Sequence, residues 1–171
     1  VIVAGSLDGM SGFIVRLNED GIVDNSFTNG VTGDSPSRQG ISAIAIQSSK
    51  VLVGGSFSIF NAGAGNTNRE SLVRLNSNGS LDGLFRPLIS NAEVRALLIQ
   101  PDGKILVAGR FDFDGQADRF VARLNSDGSL DTAFNPGSGA NGAVRCVALQ
   151  DDGKVIIGGD FTVINGTNRN H

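Results

Sequence analysis

The stretch Val94-Arg95-Ala96-Leu97-Leu98-Ile99-Gln100-Pro101-Asp102-Gly103-Lys104-Ile105-Leu106-Val107-Ala108-Gly109-Arg110-Phe111 sets two apolar runs around a Pro-Asp-Gly turn. The same order returns on either side of it. Ile46-Gln47, Ile99-Gln100 and Leu149-Gln150 precede Lys50, Lys104 and Lys154. Val53-Gly54-Gly55, Val107-Ala108-Gly109 and Ile157-Gly158-Gly159 follow, closing on Phe57, Phe111 and Phe161. Repetition at this scale points to stacked supersecondary units and has to be read before any local structure.

A second anchor set completes the unit. Arg-Leu-Asn stands at Arg16-Leu17-Asn18, Arg74-Leu75-Asn76 and Arg123-Leu124-Asn125, and a Phe lies eleven residues after each Arg, at Phe27, Phe85 and Phe134. Between them, Asp20-Gly21, Asn78-Gly79 and Asp127-Gly128 are hairpin signals, read here as type I′ turns with positive φ at both central residues. One unit is then four strands, exemplified by 94–100, 104–111, 119–125 and 129–134. Strands such as Ile105-Leu106-Val107-Ala108 are apolar at successive positions, so both faces need cover. No stretch carries a helical period. The expected fold is all-β: a β-propeller of four-stranded antiparallel blades, divided as a partial blade 1–40, blades 41–92 and 93–142, and a partial blade 143–171. That amounts to about three and a quarter blades, where propellers carry roughly four to eight. The expectation is therefore that further blades come from the same longer chain or from another copy. A β-sandwich would show one polar face and no long repeat.

Composition fits. Of 171 residues 24 are Gly, Trp and Tyr are absent, and Phe supplies the ten aromatics. The net charge of −3, with basic residues scattered, argues against nucleic acid. No apolar run approaches the roughly 18 residues of a spanning helix, so no membrane insertion is expected. Cys146 lies in the run Val144-Arg145-Cys146-Val147-Ala148-Leu149 and is expected as a small core residue.

The unit from Val94 to Phe111, continued by Val121-Ala122-Arg123-Leu124-Asn125-Ser126-Asp127-Gly128-Ser129-Leu130-Asp131-Thr132-Ala133-Phe134-Asn135-Pro136, resembles the bacterial delta-60 type repeat, a β-propeller family without a defined biochemical role. The resemblance implies blades of large secreted or surface-attached bacterial proteins, or of virion proteins, and implies no catalytic residue.

Candidate residues fall into three groups. Arg16, Arg74 and Arg123 are expected to pair with Asp24, Asp82 and Asp131 of the same hairpin, because a half-buried Arg needs an anion. A residue present in every unit serves the unit, so the role is structural. Asp112, Asp114 and Asp118 place alternating oxygens around Gly115, a faint calcium pattern that lacks the distal Glu of an EF-hand loop; ordinary turn chemistry is the alternative, and no other cofactor is expected. The long insertions 28–40 and 58–70, with Asp34, Arg38, Asn61, Asn66 and Asn68, are where protein or glycan contacts would lie, since loops on a rigid scaffold carry recognition.

Catalysis has little support. The one His, His171, ends the chain, and the repeated acids lie in turns. The leading expectation is a non-catalytic binding or structural module of an extracellular, cell-surface or virion-associated protein. The competing readings are a self-assembling subunit of a filament or layer, and a hydrolase or lactonase-like propeller enzyme.

Overall fold

The computed structural model describes residues 1–5, 13–27, 40–59, 69–113 and 116–169. All regular structure among them is β, in small antiparallel sheets. Strands β1 (Ile2–Gly5) and β2 (Phe13–Arg16) form a pair. β3 (Gly40–Gln47), β4 (Lys50–Ile59) and β5 (Arg69–Leu75) form a three-stranded sheet in that order. β6 (Ile89–Ile99), β7 (Ile105–Phe113) and β8 (Gln116–Leu124) repeat it. β9 (Val144–Leu149) pairs with β10 (Val155–Gly159), and β11 (Val163–Ile164) with β12 (Thr167–Asn168).

The fourth strand of each unit is shorter than its sequence suggests. It survives as single bridges, Leu17 to Val23, Leu75 to Leu81 and Leu124 to Leu130. The cause is the Asp that follows. Asp82 accepts the Leu84 N–H through Oδ1 while its carbonyl accepts the Phe85 N–H, which turns the chain after one pair; Asp131 does the same with Ala133 and Phe134. The turns differ too. Positive φ falls on Gly21, Gly79 and Gly128 but not on the residue before them, and Asn76 N–H bonds Ser80 O while Gly79 N–H bonds Asn76 O. That is a three-residue connection, a turn closed by a left-handed Gly bulge, in place of a type I′ turn.

The sheets stack face to face, and the alternation of each strand assigns one face to each neighbour. Val51, Val53, Val73 and Leu75 pack with Ile14 and Phe27 of the preceding unit. Leu52, Leu72 and Phe85 point the other way, into a core with Ile105, Val107, Phe111 and Leu124 of the following unit. Ala108 and Val121 continue the series against Val144, Ile157 and Phe161. This is why the strands are apolar at successive positions: Ile105, Leu106, Val107 and Ala108 all have no exposed surface.

A bulge in the first strand recurs, with register shifts between Ile41 and Ala43, Val94 and Ala96, and beside Gly159. It presses the carbonyls of Gly40, Glu93 and Ala143 to 2.0, 2.0 and 2.2 Å from where a Cβ on Gly55, Gly109 or Gly159 would sit. The second Gly of the motif is required by that approach.

Cys146 departs from expectation: it is exposed. It shares a face with Ile156, which is 53% exposed although its counterparts Leu52 and Leu106 are fully buried. In the other units this face meets a following sheet, and no described residue covers it on β9 and β10.

Candidate functional site

Because consecutive strands run antiparallel, connections alternate between two ends of the stack. The short turns at 18–21, 48–49, 76–79, 101–103, 125–128 and 151–153 occupy one end. Strand ends that flank 6–12, 60–68 and 114–115 stand at the other, with Gly40 after 28–39, as the registers Gly5 with Phe13, Gly40 with Ser56, Ile59 with Arg69 and Phe113 with Gln116 require. The regular end and the variable end of the molecule are thus opposite.

At the regular end each Arg-Leu-Asn arginine builds a joint. Arg74 Nε donates to Asp82 Oδ2 at 2.8 Å, and Lys50 Nζ reaches the same oxygen at 2.7 Å. Arg74 Nη1 donates to Gln47 Oε1 at 2.7 Å and, crossing to the next unit, to Ser126 O at 2.5 Å. Its guanidinium lies 4.6 Å above the Phe85 ring, within cation–π range. The backbone of Gly128 meets that ring as well, since a Cβ there would stand 2.9 Å from it. Gln47 Nε2 adds a second crossing, to Gly103 O at 2.8 Å.

The joint recurs before and after. Arg16 Nε donates to Asp24 at 2.7 Å, Nη1 crosses to Ser77 O at 2.5 Å, and the group rides 4.8 Å over Phe27. Arg123 Nε donates to Asp131 at 2.7 Å, Lys104 joins at 2.9 Å, and Phe134 lies 4.9 Å below. So the structure brings together all three sequence-expected pairs. Burial opposes ionisation of Asp82, but hydrogen bonds from Lys50, Arg74 and the Leu84 N–H hold its pKa at about 2. Asp131 is held at about 2 chiefly by Lys104, with burial opposing and Arg123 assisting. The Ser26 hydroxyl and N–H, with Arg16, lower that of Asp24.

Four further residues, beyond the expected arginines and aspartates, contribute contacts between or within the units. Gln47 and the pair Lys50 and Lys104 were visible as recurring anchors, and a polar residue that recurs beside an apolar strand was the available signal. Ser71, whose hydroxyl donates to Ala92 O of β6 at 2.8 Å, has no counterpart to betray it.

Two of the three acidic residues expected around Gly115 lie in strands. Asp112 lies within β7 opposite Ser90, and the backbone of Asp118 belongs to β8. Asp114 lies outside the described residues, as do Asp34, Arg38, Asn61, Asn66 and Asn68. Among the described residues no three His, Cys, Asp or Glu side chains come together as a cation site.

Among known families, the chain matches the domain of unknown function (DUF5122) beta-propeller over residues 47–85, 100–134 and 150–171. A search of curated proteins finds no match. The matched segments begin at Gln47, Gln100 and Gln150, and the first two run through to the Phe under the arginine, so those two span the elements that build the joint. With more than half of its residues matched in three repeated segments, the chain belongs to the DUF5122 beta-propeller family.

Proposed function

We propose that this chain is a non-catalytic recognition scaffold whose partner, a protein or a glycan, is held at the variable end of the sheet stack. The observation that carries this reading is the separation of the two ends. The repeated charged residues are consumed in pairing within and between units: Arg16, Arg74 and Arg123 with their aspartates, and Lys50 and Lys104 with the same carboxylates. Groups engaged in this way hold the scaffold rigid and are poor candidates for acid–base work. The strand ends at Ile59 and Arg69, which flank 60–68, and Gly40, which follows 28–39, stand at the opposite end, where changes in sequence need not disturb the joints. An extracellular, surface or virion setting accords with this reading.

The test trims 60–68 to the two-residue connection that stands between Phe113 and Gln116, and compares the two proteins on a glycan array and against surface-protein libraries. Partners lost on trimming, with an unchanged melting temperature, support the reading. Binding that survives removal of both 28–39 and 60–68, or hydrolysis of an arrayed glycan, overturns it.

A further inference from the structure

Among the described residues Asn-Gly stands at 78–79, 141–142 and 165–166. Such a pair carries its own chemistry. The Gly amide nitrogen, with no Cβ beside it, attacks the Asn Cγ and closes a succinimide ring with loss of ammonia, and water reopens the ring to aspartate or isoaspartate. The fold decides which pairs react, through its hold on the attacking nitrogen and on the carboxamide.

The first two pairs are held. Gly79 N–H donates to Asn76 O at 2.9 Å, and Asn78 Oδ1 accepts the Ser80 N–H at 3.0 Å and the Ser80 hydroxyl at 2.7 Å. The Asn141 carboxamide is bonded at both ends: Oδ1 accepts from the N–H groups of Thr162 and Val163 at 2.9 and 3.0 Å, and Nδ2 donates to Thr162 Oγ1 at 3.2 Å. Gly142 lies against the backbone of residue 160, where Asp160 O is 2.9 Å from the place of a Cβ.

The third pair differs on each count. Asn165 and Gly166 form the tip of the β11–β12 hairpin, which packs on residues 139–141 at the variable end. Their φ angles of 50° and 73° are those of a type I′ turn. Gly166 N–H has no hydrogen-bond partner among the described residues, and a Cβ on Gly166 would meet open space. Asn165 Nδ2, the leaving nitrogen, has no partner among them either, while Oδ1 accepts the Gly139 N–H at 2.9 Å. That donor is placed to stabilise the negative charge that gathers on Oδ1 as Cγ is attacked.

We infer that Asn165 is a self-modification site, at which the folded chain converts asparagine to isoaspartate and aspartate. The Gly166 N–Cγ bond forms and the Cγ–Nδ2 bond breaks; the Gly166 amide proton passes to solvent and Nδ2 leaves as ammonia. Water then cleaves one of the two imide C–N bonds. Cleavage at the main-chain carbonyl carbon routes the backbone through Cβ and Cγ, which lengthens the hairpin tip by one bond. Asn165 ties that tip to Gly139 twice, by its N–H to Gly139 O at 2.9 Å and by Oδ1 from the Gly139 N–H. The lengthened backbone cannot keep both bonds, so conversion to isoaspartate releases the hairpin from the connection that leads into β9.

The test incubates the 171-residue chain in mildly alkaline buffer over weeks. Peptide mapping by mass spectrometry locates each gain of one mass unit, and enzymatic methylation of isoaspartate identifies the isomer. Conversion at Asn165 is expected to be faster than at Asn78 or Asn141 by about tenfold or more, since each of those sites must first open at least one hydrogen bond. In the urea-unfolded chain the three rates should converge. The isoaspartate fraction, separated by ion exchange, should show faster hydrogen exchange at the amides of residues 139 and 165 with β7 unchanged. Equal rates at Asn165 and either other site in the folded chain overturn the proposal, as does conversion of Asn165 in the unfolded chain alone. An isoaspartate form with undiminished protection at Gly139 overturns the release of the hairpin.

Discussion

Arg74 donates to an aspartate, a glutamine and a carbonyl of the next unit while covering a phenyl ring, and its side chain keeps only 10% of its surface exposed. Removing a guanidinium from such a site leaves Asp82 buried beside one lysine and a turn carbonyl unpaired. Arg74→Ala is therefore expected to destabilise the fold by about 3–5 kcal/mol in denaturant titration. Arg123, which lacks the crossing bonds, should cost visibly less when changed to Ala, and equal losses at the two sites would contradict the division of labour. The aspartates add a pH signature. Asp82 has its folded pKa lowered from the ordinary 3.8 to about 2, so the folded state binds fewer protons than the unfolded state between those values. Its stabilising contribution is complete above about pH 4 and is lost as pH falls toward 2. Asp82→Asn should flatten the acid limb of the stability curve measured by chemical denaturation. The Arg and Asp partners were legible because both recur at fixed spacing on a hairpin. The crossing to the next unit was not, because a backbone carbonyl as acceptor leaves no residue type in the sequence to betray it.

At the scale of the strand, the hydrophobic pattern carried most of the information. Successive apolar residues such as Ile105 to Ala108 required cover on both faces, and each face found its own neighbour. What the pattern could not show was the length of the last strand, since Ser129-Leu130-Asp131 reads as a continuing strand until the Asp side chain captures the N–H two residues on. The bulge in the first strand was equally silent, because its register slip involves residues as different as Ser42, Arg95 and Arg145; its mark lies instead on the facing Gly. Gly109→Ala would drive a Cβ into Glu93 O, 2.0 Å away, and backbone cannot yield as a side chain can. The expected cost is at least about 1–3 kcal/mol, read as a lowered denaturation midpoint. Gly54→Ala would meet the Val94 and Leu97 side chains at 2.5 and 3.1 Å, and Ala already occupies the corresponding position 108, so a milder loss is expected there. If both substitutions cost the same, the bulge is not what selects the second Gly.

Across the whole stack, every unit contributes one face to each of two interfaces, so stability should follow position along the stack and not distance from a single centre. β7 is enclosed on both sides, with Ile105, Leu106, Val107, Ala108 and Phe111 fully buried. β10 has the same pattern of residues but one covered face, and Ile156 and Cys146 mark the uncovered one. Cys146 was unreadable for this reason: its sequence neighbourhood is that of a core strand, and only the arrangement of sheets decides whether a core position is filled from both sides. The physical consequence is a gradient in local opening. Amides of β7 should exchange only through the largest opening that the molecule undergoes, while those of β9 and β10 need lose a single interface. Native-state hydrogen exchange followed by mass spectrometry should therefore give protection in β10 lower than in β7 by about tenfold or more, the equivalent of one modest packing interaction. Uniform protection along the stack would mean that the sheets open as one cooperative block and that the uncovered face carries no energetic penalty.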